Sequence, residues 1–253
     1  MNNIIIITAV LCGLCVTTAN AQQQLTPNEE VWSPEPVAVS AGNEQGGPPS
    51  DAVILFNGKD LSAWTSARDT TIPAKWKVHD GIVTVDKKEG DIQTRQKFMD
   101  YQLHVEWKIP SNITGKSQSR GNSGIILAST ALYDFGYEVQ VLDSYRQKTY
   151  VNGQAGAIYK QYIPLVNASR QPGKWQWYDI VWMAPRWNHD GTLRQPASIT
   201  VFHNGVLVQN HVVLRTPSSY KPDKHHPAAP VKLQAHGDPS EPVSFRNIWL
   251  RPL

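Results

Sequence analysis

From Ala52 onward the apolar residues recur at every second position in short runs, and the runs stop at glycine, proline, asparagine or aspartate. Tyr101, Leu103, Val105, Trp107 and Ile109 fall on one side of an extended segment, with Gln102, His104, Glu106 and Lys108 on the other. That alternation predicts a half-buried strand. Val53–Phe56 is a short buried run. Trp76–His79 and Ile82–Val85 flank Asp80-Gly81, and Ser198–His203 and Val206–Val213 flank Asn204-Gly205, two type I′ hairpin signals. Gly124–Leu127, Tyr137–Leu142, Trp177–Met183, Val231–Gln234 and Val243–Leu250 complete the strands. Helical periodicity is almost absent. Many short strands with frequent turns predict an all-β chain, a two-sheet antiparallel β-sandwich.

The first fifty residues have a different texture. Met1 to Val16 is nearly all apolar, and Ala19-Asn20-Ala21 offers a small-x-small cleavage site, so residues 1–21 read as a signal peptide. The apolar run is short for a membrane span, and no stable membrane insertion is expected. Cys12 and Cys15 lie inside it, preceded by Leu11 and Leu14 rather than the small residue a lipoprotein site wants. The expected mature chain therefore starts at Gln22, has no cysteine, is periplasmic or secreted, and relies on core burial rather than disulfides. Residues 22–50 carry Pro27, Pro34, Pro36, Pro48 and Pro49 and read as a linker, and residues 51–253 as one domain. A net charge of +3 with dispersed Lys and Arg gives no basic stripe, so nucleic acid is not an expected partner.

Tyr137–Ser144 carries the candidate chemistry. Glu138 and Gln140 share one face of the predicted strand, Val139 and Val141 the other. A carboxylate and an amide facing one way from an inner strand are costly unless that face lines a wet groove. Asp143 has the wrong parity, and a β-bulge after Gln140 would bring it beside Glu138. The two carboxyls then become candidates for acid–base work in a cleft.

Six motifs then occur in order: Leu55-Phe56-Asn57-Gly58-Lys59-Asp60-Leu61 with Trp64; Gly121-Asn122-Ser123-Gly124-Ile125; Tyr137-Glu138-Val139-Gln140; Gly156-Ala157-Ile158-Tyr159; Trp175; and Leu233-Gln234-Ala235-His236-Gly237 with Phe245-Arg246-Asn247-Ile248. Together, over Ala52–Leu253, they resemble the 3-keto-disaccharide hydrolase family. The resemblance implies a concanavalin-A-like jelly roll acting on glycosides whose sugar carries a ketone at C3. The chain departs from the pattern at Asn112–Arg120 and Arg186–Pro196, which read as rim loops.

A C3 ketone acidifies the proton on C2, so a base can remove it while an acid protonates the departing glycosidic oxygen. Water can add back for net hydrolysis. Glu138, Asp143 and His236 are the candidates for proton work, with base and acid unassigned between Glu138 and His236. Gln140, Gln234, Asn122 and Lys160 are candidates for binding hydroxyls or an enolate, joined by Tyr159 and Trp175 as substrate contacts. Nothing in the sequence requires a cofactor. His225-His226-Pro227 looks like a metal-binding pair but reads as an exposed loop. Two other classes compete. One is a retaining glycosidase of laminarinase type, whose Glu-x-Asp-x-x-Glu spacing reads Glu138-x-Gln140-x-x-Asp143 here. The other is a lectin-like sugar-binding module.

Overall fold

Fifteen strands and two single 3₁₀ turns account for the regular structure in the computed structural model, which describes residues 30–42, 46–130, 136–218 and 226–253. In chain order the strands are β1 (Val53–Phe56), β2 (Trp64–Ser66), β3 (Lys77–His79), β4 (Ile82–Thr84), β5 (Ile92–Thr94), β6 (Tyr101–Lys108), β7 (Ser123–Ile126) and β8 (Glu138–Val141). They continue as β9 (Trp175–Met183), β10 (Arg186–Trp187), β11 (Leu193–Gln195), β12 (Ala197–His203), β13 (Val206–Leu214), β14 (Lys232–Leu233) and β15 (Ser244–Pro252). The expected leader, its cleavage site, both cysteines and His225 lie outside the described residues. Residues 36–252 form one compact unit that carries every strand up to Pro252. Of the second unit, residues 1–35 with Leu253, the described residues are exposed.

The strands sort into an eight-stranded sheet, β13-β12-β9-β6-β15-β4-β3 with β1 also on β15, a five-stranded sheet, β2-β5-β14-β7-β8, and the small hairpin β10-β11. All pairings are antiparallel. Both type I′ hairpins form: Asp80 and Gly81 have φ of 47° and 76°, Asn204 and Gly205 of 54° and 79°. Asparagine, aspartate and glycine tolerate that left-handed region best, which is why these dipeptides turn the chain.

The two large sheets share one core. Ile125, Val139 and Leu233 from the smaller sheet join Val105, Trp107, Tyr178, Ile180 and Trp182 from the larger. Two tyrosines stitch the layers through their hydroxyls: Tyr178 donates to the Gln140 carbonyl at 2.8 Å and Tyr101 to that of Leu127 at 2.5 Å. Trp64 belongs to this core, fully buried with its indole N–H on the Leu55 carbonyl at 2.7 Å. His226 is buried against Tyr137 and Trp187, not exposed as its proline-rich context suggests.

One loop closes an open edge of each sheet. On β8, the Gln140 and Tyr159 amides bond the Ala157 and Glu138 carbonyls at 3.0 and 3.1 Å, and the Gly156 amide returns a bond to Gln140 at 3.0 Å. On β13, Leu165 donates to the Val208 carbonyl at 2.9 Å and the Tyr162 hydroxyl to that of Val213 at 2.7 Å. The start of the domain is also tied down: the Gly46 carbonyl accepts from Asn247 and Trp249 side chains, each at 2.8 Å.

Candidate active site

Strand pairing puts a polar row across the whole five-stranded sheet. Glu138 pairs with Ile126, Ile126 with Lys232, Lys232 with Gln93, and Gln93 with Thr65. Residues directly opposite share a face, so these five side chains stand together, away from the core row Val139, Ile125, Leu233 and Ile92. Two residues along the strand, Gln140 faces Gly124, and Gln234 extends that row with its amide on the Gly124 carbonyl at 3.0 Å. Glu138 and Lys232 are two strands apart, about 10 Å between backbones, with Ile126 between them on the same face, and the lysine charge still acts on the carboxyl. At the far end of the row, Thr65 and Gln93 line a cleft of about 500 Å³ with Arg95, Lys97, Ser129 and Pro230, a cleft whose lining does not include Glu138, Lys232 or His236.

Glu138 is the perturbed group. It is 2% exposed, and burial pushes its carboxyl from 4.5 up to about 8, with Lys232 pulling it down and Asp91 pushing it up. Lys232 is equally buried, and its ammonium lies 3.8 Å from the Asp91 carboxylate, which also accepts the Ala235 amide at 2.8 Å. Gly124 makes room for the carboxylate. A Cβ there would overlap Glu138 Oε1 and sit 3.0 Å from Cδ. Gly124→Ala is therefore expected to push the Glu138 carboxylate aside and lower kcat by roughly 10²-fold, the scale of one proton-transfer group. The melting temperature should barely move, because the clash falls on a flexible side-chain end. Unchanged kcat would show that the carboxylate position does not matter.

An amide network holds Gln140 beside Glu138. Its Nε2 donates to Asn122 Oδ1 at 3.1 Å and to Gln118 Oε1 at 3.3 Å, while Asn122 Nδ2 donates to the Gln118 carbonyl at 2.8 Å. Gln118 Nε2 is spent on Thr149 and Gly153, both at 2.8 Å. With the donors used, Gln140 Oε1 remains a buried acceptor with no hydrogen-bond partner, as does Gln234 Oε1. Gln118 sits in the segment 112–120 that read as a rim loop, so part of that segment is a wall of the site.

Tyr159 and Lys160 also reach this end. The Tyr159 hydroxyl is 2.6 Å from that of Tyr150, and Lys160 Nζ lies 5.3 Å from the Tyr159 ring centre. Burial raises the Tyr150 phenol, with Tyr159 and then the Glu138 charge adding to it. His236 follows Lys232 and Gln234 at the same two-residue interval, just beyond β14. Its Nδ1 lies 2.9 Å from Asp238 Oδ2, and its side chain is 37% exposed.

Two expectations need correction. No bulge follows Gln140: the β7–β8 ladder pairs Glu138 through Val141 with no register shift and ends there. Asp143 lies past the strand, where its buried carboxylate takes the Arg120 guanidinium at 2.6 Å and the Tyr145 amide at 3.2 Å. Those bonds give it a structural occupation in place of the one a bulge would supply. Trp175 is not brought to this groove. It stands on β9 with Trp177, on the outward face of the larger sheet, its ring flanked by Lys108 at 4.7 Å and Arg246 at 4.2 Å. That face has its own small cleft, about 150 Å³, between His104, Glu106, Arg170 and these residues.

Lys232, Asp91, Gln118 and Asp238 were not foreseen. Lys232 left a signal: a charge between Val231 and Leu233, in step with Gln234 and His236. Among the described residues no group of three or more His, Cys, Asp or Glu side chains could hold a metal ion, and no helix is long and apolar enough to cross a membrane.

The model of the 3-keto-alpha-glucoside-1,2-lyase-like domain family matches residues 51–251. A relative from Bacteroides thetaiotaomicron, named 3-keto-disaccharide hydrolase, is 25% identical over 198 residues, 66% of this chain. The chain spans 65% of that relative's length. A crystal structure from Parabacteroides distasonis, provisionally named a glycosyl hydrolase, is 53% identical with a TM-score of 0.81, covering 88% of this chain and 94% of that one. A second from the same organism, 20% identical with a TM-score of 0.59, covers 80% of this chain and 94% of its own and shares the fold.

Proposed function

Because the chain belongs to the family of 3-keto-alpha-glucoside-1,2-lyase-like domains, we propose that it is a carbohydrate-active enzyme that cleaves 3-keto-glycosides by elimination across C1 and C2. The observation that carries this reading is the buried Glu138 carboxyl, raised to about 8, standing with Lys232 on the polar face of a sheet. At neutral pH such a carboxyl is mostly protonated, the form a general acid needs.

Three side chains carry the chemistry and two amides bind the sugar. His236 Nε2 takes the C2 proton, and the C–H electron pair moves toward C3 so that the ketone oxygen becomes an enolate. The Lys232 ammonium offsets that charge in a site where burial strengthens the interaction. The pair then returns to form the C1–C2 double bond as the C1–O bond breaks, and Glu138 protonates the leaving oxygen. The buried acceptors Gln140 Oε1 and Gln234 Oε1 suit sugar hydroxyls, which would otherwise lose hydrogen bonds on leaving water. Adding water across C1–C2, oxygen to C1 and hydrogen to C2, turns the elimination into net hydrolysis.

The laminarinase-type alternative needs two carboxyls on one face about 5–5.5 Å apart. The unbulged strand and the Arg120–Asp143 pair argue against it. The test is aglycone release from a 3-keto-glycoside and from its unoxidised parent. Release from the ketone alone is expected. Release from the parent would favour a glycosidase, and release from neither a binding module.

A further inference from the structure

The segment after β14 holds a cluster that the proposed chemistry has not used. Asp238 is 7% exposed, and its side chain is 1% exposed. Its Oδ2 faces His236 Nδ1 at 2.9 Å and the Lys87 ammonium at 3.2 Å. Its Oδ1 accepts the Ser240 amide at 2.9 Å and the Ser240 hydroxyl. Ser240 Oγ in turn accepts the Gly121 amide at 2.9 Å, beside Asn122 of the amide network. Lys87 is anchored separately on the Asp238 and Ser240 carbonyls at 2.7 and 2.8 Å. Burial acts to raise the Asp238 carboxyl, but the Ser240, His236 and Lys87 contacts together hold it below the usual range, so it is an ionised acceptor.

Two groups compete for His236 Nδ1. The Asp238 backbone amide lies 3.2 Å away and would donate to it, which puts the ring proton on Nε2. The Asp238 carboxylate is nearer and charged, and an ionised acceptor forms the stronger hydrogen bond. From this contest we infer that Asp238 is a positioning residue for His236: its carboxylate keeps the ring proton on Nδ1 and so leaves the Nε2 lone pair of this part-exposed side chain as the proton acceptor. This rests on the reading that His236 is the base for 3-keto-glycosides. Lys87 and Ser240 hold the carboxylate still, so the ring is oriented by a buried, three-way-bonded anchor rather than by a mobile loop.

Asp238→Asn is the informative variant. The Ser240 amide and hydroxyl require an acceptor at Oδ1, so the new NH₂ takes the place of Oδ2 and donates to Nδ1, while Lys87 gives up its Oδ2 contact and keeps the Asp238 and Ser240 carbonyls. The ring proton then moves to Nε2, the wrong nitrogen for a base. Long-range ¹H–¹⁵N spectra of the ring read this without any turnover. The expected result is an Nδ1–H tautomer in the wild type and an Nε2–H tautomer in Asp238→Asn. With it, kcat on a 3-keto-glycoside should fall by on the order of 10²–10⁴-fold while KM stays within about twofold. Ser240→Ala loosens the same loop without touching the ring. It should keep the wild-type tautomer and lose clearly less kcat than Asp238→Asn. A wild-type Nε2–H ring overturns the inference, and so does a Ser240→Ala loss as large as that of Asp238→Asn. Failure of the functional reading looks different: a wild type with the Nδ1–H ring and no turnover of any 3-keto-glycoside.

Discussion

Glu138→Gln is expected to lower kcat by 10²-fold or more, because glutamine keeps the shape of the carboxyl but has no proton to give. The same substitution should change how stability responds to pH. A carboxyl whose folded value is raised from 4.5 to about 8 costs the folded state nothing below the unfolded value. The cost grows as pH rises from about 4.5 and levels off above about 8, where both states are ionised. A shift of this size corresponds to on the order of 5 kcal/mol. Wild type and variant should therefore melt alike near pH 4, and the variant should melt higher at pH 9. Activity of the wild type should decline above about pH 8 as the acid form is lost. Thermal melts across pH with matched turnover measurements check all three. Identical pH–stability curves for the two proteins would mean that Glu138 is not the buried, mostly neutral group described here, and near-normal turnover would remove it from the mechanism.

Lys232→Met should be comparably damaging for a different reason. Methionine fills the same space but leaves the enolate without its cation, and loss of one such electrostatic contact costs about 10²–10³-fold in kcat. The lysine also holds the Glu138 carboxyl down. Without it that carboxyl climbs further, so the alkaline limb of kcat should move to higher pH even as the maximum drops. Asp91 keeps its bond from the Ala235 amide, and its side chain is partly exposed, so folding should survive. A large kcat loss with the alkaline limb unmoved would separate the lysine from Glu138. A variant with wild-type kcat would remove it from the chemistry.

The features that could be read from the chain alone are those written in local pattern. The Tyr101–Ile109 alternation and the two dipeptide turns depend on neighbours in sequence, and all three appear as expected. The shared face of Glu138 and Gln140 is of the same kind. What escaped depends on pairing between distant segments. Lys232 shares a face with Glu138 only because β7 pairs with both their strands, and Asp143 meets Arg120 across a separation of 23 residues. Period two tells which residues share a face but not which face of which sheet is the groove. Trp175 shows the limit: its outward-facing position resembles a sugar platform equally well on either sheet, and the structure puts it on the larger one.

The loop that closes one edge of each sheet bears on how safely this chain folds. Until residues 156–165 dock, β8 presents an unsatisfied ladder along Tyr137–Leu142, a stretch whose one charge is Glu138, the residue that prefers to be neutral. Such a segment is a template for pairing with another copy, and β13, rich in valine, is a second. One docking event removes both hazards, since Tyr159 caps the first edge and Leu165 and Tyr162 the second. Proline in place of Leu165 would delete a capping amide. The predicted consequence is a protein that loses soluble yield and accumulates aggregates on refolding well before it loses specific activity, because its vulnerability lies in the interval before the two edges are sealed.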